Sequence, residues 1–181
     1  MSGRIFAVVG PSGAGKDTLM AAAQAARPGI HLVRRVVTRA VGAGEDHRPV
    51  SEDSFRQLRA EGGFALSWSA HGLSYGIPRA AAERVAQGDC VLFNGSRAML
   101  EAATAAFPGL RVLHITASEA TLRARLMARG RETIAQIEAR LARADLPLPA
   151  GLDVTTIDNS GPLEESVAKL LTALDFKETT P

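Results

Sequence analysis

The run Gly10, Pro11, Ser12, Gly13, Ala14, Gly15, Lys16 constrains this chain more than any other feature. It stands between a short apolar stretch, Ile5 to Val9, and an alanine-rich helical pattern, Leu19 to Ala26. A strand that passes through a Gly-rich turn into a helix aims successive backbone N–H groups and the positive helix end at one point, where a polyphosphate can replace water. The glycines permit the tight turn, and Lys16 is placed to reach the outer phosphates of a nucleoside triphosphate. Gly10 to Thr18 is therefore read as the ATP-binding loop. The spacing G-x-x-x-x-G-K is complete, but the hydroxyl expected next, a magnesium ligand, is replaced by Asp17, with Thr18 one place later. Either Asp17, directly or through water, or Thr18 in a shifted register can hold Mg²⁺, which prefers hard oxygen ligands and keeps several waters.

The rest of the chain alternates strand and helix patterns as a parallel sheet with covering helices requires. After the first helix, His31 to Val37 reads as one β-branched strand. Ser51 caps a helix to about Glu61; Phe64 to Ala70 and Leu73 to Tyr75 read as an antiparallel pair, and Pro78 opens a helix to Gln87. Val91 to Phe93 and Arg111 to Thr116 are buried strands, Val154 to Asp158 the last one, and Leu163 to Leu174 a closing helix. Between them, Ser118 caps a helix carrying Leu122 and Leu126 on its apolar face, and a second helix runs from Thr133 to Ala144. Arg129, Gly130 and Arg131 separate these two helices, a layout that reads as a lid over phosphates.

At 181 residues, 46% of them apolar, the chain suits a single domain. No run is long enough to span a bilayer, and the first strand begins too close to Met1 for a signal-peptide layout, so the expected compartment is the cytoplasm. Cys90 is the only cysteine, which excludes a disulfide framework and cysteine-based metal clusters. A formal charge of +2 gives no argument for nucleic acid. The placement of the arginines is more informative: Arg123, Arg125, Arg129, Arg131, Arg140 and Arg143 crowd one short region, and guanidinium forks suit phosphate oxygens. Arg123 and Arg143 fit a solvated helix face. A linker would explain the glycines of the polar segment Thr38 to Pro49, but Arg39, Glu45, Asp46, His47 and Arg48 together look more like a site for an anionic, hydroxylated ligand.

With those residues in place, the chain resembles the guanylate-kinase-like branch of the nucleoside monophosphate kinases. The resemblance runs from the phosphate loop through Thr38-Arg39, Gly44-Glu45, His71-Gly72, Tyr75-Gly76 and Arg125 to the segment Arg129, Gly130, Glu132 and Arg140. It implies an α/β P-loop fold with a five-stranded parallel core, helices on both faces, an acceptor-binding insertion at about 34–88 and a helical lid at about 125–144. Guanylate kinases have a further arginine, a tyrosine and a guanine-reading glutamate where this chain has Gly42, His47 and Leu66 or Ser67. A purine pocket without its carboxylate leaves the guanine N–H donors unpaired, which penalises that substrate heavily.

Those departures, with Lys16-Asp17-Thr18, Gly44 to His47, Ala70 to Pro78 and Asn94-Gly95-Ser96-Arg97, resemble the ribose 1,5-bisphosphate phosphokinases of bacterial phosphonate utilisation. That resemblance implies transfer of a phosphoryl group from ATP to ribose 1,5-bisphosphate, giving 5-phosphoribosyl 1-diphosphate. Lys16, Mg²⁺ and the lid residues Arg129 and Arg140 are then expected to neutralise the transferring group, with Arg131 a further candidate. Arg35, Arg39 and Tyr75 are expected at the acceptor phosphates, and Glu45, Asp46 or His47 at the ribose hydroxyls. Tyr75 also fits a cross-strand packing role, and the Asp158-Asn159 turn fits either the adenine end of the nucleotide site or a plain strand-to-helix turn. Two other readings stand beside this one: a nucleotide kinase of altered specificity, and a non-catalytic module that binds protein partners. Retention of Lys16 and the lid arginines argues against the last.

Overall fold

The computed structural model describes residues 3–41, 46–70, 72–144 and 146–175. Its centre is β1 (Arg4–Val9), in which every residue after Arg4 is buried. β1 pairs in parallel with β7 (Cys90–Asn94) and β8 (Arg111–Thr116); β2 (Ile30–Leu32) adds beside β7 and β9 (Val154–Asp158) beside β8. The result is a five-stranded parallel sheet in the order β2-β7-β1-β8-β9. Helices cover both faces of a parallel sheet, so its strands read as continuous apolar runs, as β1 does.

Alternate residues of the strands feed two apolar layers. On one face Phe6, Val8, Leu113 and Ile115 pack with Leu19 and Ala23 of α1 (Lys16–Ala26), Leu122 of α5 (Glu119–Arg129) and Leu170 of α7 (Leu163–Asp175). On the other, Ile5, Ala7, Val9 and Phe93 pack with Ala81 of α3 (Ala80–Ala86) and Leu100 and Ala103 of α4 (Leu100–Ala106). Leu170 and Leu100 are fully buried, and cutting either back to alanine would cost about 2–5 kcal/mol.

A second, four-stranded sheet stands apart from the parallel one. It is formed by β3 (Arg35–Val37), β4 (His47–Pro49), β5 (Phe64–Ala70) and β6 (Leu73–Pro78), with α2 (Glu52–Ala60) inserted between β4 and β5. Leu66 of β5 and Ile77 of β6 are buried in the second apolar layer, which ties this lobe to the main sheet. The lobe differs from the sequence expectation in three ways. His31 to Val37 is two strands, one in each sheet, and the polar segment contains a short strand, β4, parallel to β3. Pro78 ends β6 instead of opening α3, because the antiparallel pairing with β5 continues as far as Phe64.

The lid follows its local signals closely. Ser118 caps α5 by accepting from Thr121 N, Gly130 closes α5 in the left-handed region (φ 62°), and Thr133 with Gln136 forms a capping box on α6 (Ile134–Leu141). Arg123 ion-pairs with Glu119 at 2.8 Å and with Glu138, so it staples α5 to α6 on the exposed face.

Candidate active site

Everything at the site is built around the turn from β1 into α1. Gly15, the residue before α1, has φ 84°, and no side chain caps the helix. The first N–H groups of α1 are thus left for an incoming anion, as a phosphate cradle requires. Gly10 is held just as tightly from below. A Cβ there would lie 2.0 Å from the carbonyl oxygen of Ile115 in β8, so the loop can leave β1 only through a glycine.

The loop is braced from the opposite side of the chain. Asn159 Nδ2 donates to the carbonyl of Ala14 at 2.7 Å, while Arg125 donates to the carbonyls of Gly13 (3.2 Å), Ala14 (3.3 Å) and Asn159 (2.8 Å). Arg125 therefore shapes the loop. With Gly15, Thr18, Arg129 and Asn159 it lines a cleft of about 360 Å³ beside the loop. Asn159 is 3% exposed, and its Oδ1 is buried without a hydrogen-bond partner.

Lys16 Nζ donates to the carbonyls of Gly10 (2.9 Å) and Pro11 (3.0 Å), which folds the side chain back over the loop. Burial lowers its pKa to about 8; Asp17 opposes the shift, and the charges of Arg35, Arg129 and Arg97 reinforce it. These three guanidinium groups come from β3, the end of α5 and the one-turn 3₁₀ helix Arg97–Met99. Three elements distant in the chain thus direct positive charge at the loop, which suits a polyanionic reaction centre.

The hard oxygen donors lie next to this centre. Asp17 is exposed on the first turn of α1, and its Oδ1 accepts from Asn94 Nδ2 at 2.6 Å; Thr18 lines the cleft. Among the described residues no group of three or more His, Cys, Asp or Glu side chains gathers as a metal cage. Mg²⁺ at a nucleotide does not need one, since one or two protein oxygens complete a shell made of phosphates and water. Asp17 and Thr18 fit that ion.

The lid reaches the loop through Arg140, whose Nη1 donates to Ser12 Oγ at 2.6 Å while Nη2 pairs with Glu132. On the other lobe, Tyr75 stacks on Trp68 across the β5–β6 pair, with ring centroids 5.2 Å apart and planes 10° from parallel. The Arg35 guanidinium lies over the Tyr75 ring at 5.7 Å, a cation–π contact that orients it.

The structure brings together Lys16, Asp17, Thr18, Arg129 and Arg140, with Arg35 close enough for its charge to act on Lys16. The polar segment is placed differently from the simple reading of its composition. His47 is 2% exposed, and its ring Nε2 is 3.0 Å from the carbonyl oxygen of Arg39, so it turns inward and holds the segment's backbone. Asp46 is exposed and ion-paired with Arg34 at 2.7 Å, Arg39 is exposed, and Glu45 lies outside the described residues. Asn94 and Arg125 stood in the motifs, but their contacts with Asp17 and with the loop carbonyls have no local sequence signal.

A Gly-rich loop at the centre of a β2-β7-β1-β8-β9 sheet, with a lid arginine on the loop and a second lobe opposite, defines a guanylate-kinase-like P-loop kinase. Solved structures agree on the fold. The guanylate kinase of Anaplasma phagocytophilum aligns with TM-score 0.70 at 20% identity over 99% of this chain and 88% of its own, and a gluconokinase from Sinorhizobium meliloti with TM-score 0.56 at 21% identity over 96% and 91%.

The sequence comparison is narrower: the chain belongs to the ribose 1,5-bisphosphate phosphokinase family. It is 51% identical to the ribose 1,5-bisphosphate phosphokinase PhnN of Pseudomonas fluorescens, over 97% of this chain and 96% of that one, and 49% identical to the PhnN of Rhizobium etli, over 96% and 90%. It is also 41% identical, over 96% of its length, to part of a bifunctional ribose 1,5-bisphosphokinase-thymidine phosphorylase of Cupriavidus necator, 29% of which is matched. No family model matches the chain. None of the helices among the described residues is long and apolar enough to cross a membrane.

Proposed function

We propose that this kinase transfers the γ-phosphoryl group of ATP to ribose 1,5-bisphosphate, giving ADP and 5-phospho-α-D-ribose 1-diphosphate, as a cytoplasmic step of phosphonate catabolism. The observation that carries this reading is the 51% identity to a kinase of that name over nearly the whole of both chains. The missing carboxylate supports it too: where the resemblance puts a guanine-reading glutamate this chain has Leu66 or Ser67, and neither can pair with the guanine N–H donors as a carboxylate does.

The acceptor oxygen belongs to a phosphate and is already anionic near neutral pH, so no general base is required. Positioning and charge neutralisation supply the catalysis. The N–H groups of the loop and of the first turn of α1 hold the β- and γ-phosphates. Lys16 exchanges its bonds to Gly10 and Pro11 for phosphate oxygens, and that contact favours its charged form. Bound through Asp17 and Thr18, Mg²⁺ would supply charge neutralisation at the phosphate oxygens. Arg140 leaves Ser12 to join Arg129 on the transferring group, and the closed lid excludes water that would otherwise hydrolyse ATP. In the second lobe Arg35, Arg39 and Tyr75 hold the acceptor phosphates, Glu45 or Asp46 serves the ribose hydroxyls, and His47 holds the backbone at Arg39.

Coupled ADP release from ATP-Mg tests the assignment, with ribose 1,5-bisphosphate, GMP, AMP and ribose 5-phosphate as parallel acceptors. Strong preference for the bisphosphate is the expected result. Preference for a nucleotide overturns the acceptor, and ATP binding without turnover of any of the four points to a binding module.

A further inference from the structure

We infer that Arg97 is a positioning residue of the lid: it anchors the chain leaving α6 to the core and so fixes where Arg140 stands. The inference rests on the phosphotransfer reading above and deepens it. Arg97 opens the 3₁₀ turn after β7, and the residues that follow it, Met99 and Leu100, are 1% and 0% exposed. Its backbone is thereby fixed to the main sheet. Its side chain crosses to the lid, where Nη2 donates to the carbonyl of Arg143 at 2.7 Å and Nη1 to the carbonyl of Leu146.

The guanidinium suits this task for a specific reason. The described residues between α6 and β9 belong to no helix or sheet, so their carbonyls need partners from elsewhere. One planar fork can serve two nearby acceptors at once, whereas a lysine ammonium would act as a single point charge. Arg143 follows Arg140 by less than one helical turn, and Arg140 donates to Ser12. The same short segment is held by the phosphate loop at one point and by Arg97 just beyond it.

Packing holds the return chain at the half-buried Ala144 and Leu148, which lie against the two apolar layers, and leaves the residues beside the anchor open. Leu146 is 53% exposed, and Ala142, Arg143 and Pro147 are also exposed. Leu146 and Leu148 border a cleft of about 240 Å³ that Pro11 and His114 also line, so the return chain spans space beside the loop instead of filling it. The anchor is electrostatically part of the site as well, because the charge of Arg97 acts on Lys16.

The test is a mutant cycle on ATP-Mg and ribose 1,5-bisphosphate turnover with Arg97→Gln, Arg97→Lys, Arg140→Gln and the double variant Arg97→Gln/Arg140→Gln. Arg97→Gln is expected to lower kcat about tenfold with the acceptor KM within about twofold, and Arg97→Lys to fall between it and the wild type. In the Arg140→Gln background the same change should cost less than about twofold, because an anchor has nothing left to position. Additive losses, or an effect carried wholly by a raised acceptor KM, overturn the proposal; the second outcome would make Arg97 an acceptor ligand.

A second readout needs no acceptor. Amide hydrogen exchange of the nucleotide-free protein should accelerate over residues 133–148 in Arg97→Gln and stay unchanged in β1 and α7. Unchanged exchange over 133–148 overturns the anchor even if turnover falls. If the wild type fails to use ribose 1,5-bisphosphate, the proposed acceptor is wrong, and the exchange result still decides the anchor. Should Arg97→Gln not fold, Arg97→Lys carries both readouts at smaller amplitude.

Discussion

Asn94 Nδ2 donates to Asp17 Oδ1 at 2.6 Å, joining the carboxyl end of β7 to the first turn of α1. Asp17 occupies the place where the motif normally puts a metal-binding hydroxyl, and this bond orients its carboxylate. If that oxygen serves Mg²⁺, Asp17→Asn will raise the Mg²⁺ concentration needed for half-maximal turnover by about tenfold or more, and Asn94→Ala will raise it less. A Mg²⁺ titration of kcat decides the point. An unchanged midpoint in Asp17→Asn would transfer the role to Thr18.

If Lys16 holds the nucleotide phosphates, affinity will depend on pH. Its folded value is about 8, below the 10.5 of a free side chain. Between those two values the unfolded chain keeps a proton that the folded chain has released. The contribution of Lys16 to stability is therefore least favourable below about pH 8 and improves as pH rises towards 10.5. Phosphate binding works the other way, because it favours the charged ammonium. Calorimetric titration with ATP-Mg should show affinity falling above about pH 8, and Lys16→Arg should remove that inflection, since a guanidinium stays protonated.

Arg140 and Ser12 should respond unequally to mutation, although they share a 2.6 Å hydrogen bond. In the proposed reaction Arg140 leaves Ser12 for the transferring group, so Ser12→Ala should leave kcat within about twofold, whereas Arg140→Gln removes charge from the transition state and should cost about 10²–10³. Turnover at saturating substrates measures both. Wild-type kcat in Arg140→Gln would remove the lid arginine from the chemistry.

Two glycines with positive φ should differ sharply on replacement by alanine. At Gly10 (φ 150°) the new Cβ meets Ile115 O at 2.0 Å, between two central strands that cannot yield. At Gly130 (φ 62°) nothing lies within 4 Å. Gly130→Ala should cost about 1 kcal/mol, the ordinary penalty of the left-handed region, and Gly10→Ala more than about 4 kcal/mol or the fold itself. Thermal denaturation of the two variants distinguishes strain alone from strain with a clash.

Tyr75→Phe separates substrate contact from packing. The ring stacks on Trp68 and under Arg35, and phenylalanine keeps both contacts. If the hydroxyl holds an acceptor phosphate, the acceptor KM should rise about tenfold with ATP binding unchanged. An unmoved KM would leave Tyr75 as a packing residue.

Elements with strong local signals were legible in the chain. Ser118, Gly130, Thr133 and Gln136 mark the ends of the lid helices through hydrogen bonds to their own neighbours, so their spacing suffices. The strand boundary inside His31 to Val37 has no such signal. Ile30–Leu32 pairs with β7, and Arg35–Val37 pairs with β6 and β4; the partners, not the β-branched residues, decide where one strand ends. His47 looked like a ligand because its neighbours are charged, yet its place in β4 turns the ring inward onto the Arg39 carbonyl.

The phosphate loop could be read from its residues alone, because it works through backbone conformation and glycine placement dictates that conformation locally. Most of the order of strands and helices could be read the same way, through apolar periodicity. Which charges meet at Lys16 was settled by the fold. Arg35, Arg97 and Arg129 converge there because β3, the turn after β7 and the end of α5 are carried to the carboxyl end of the central strands by packing. Local sequence sets what a residue can do, and burial of the two apolar layers sets which residues it can do it with.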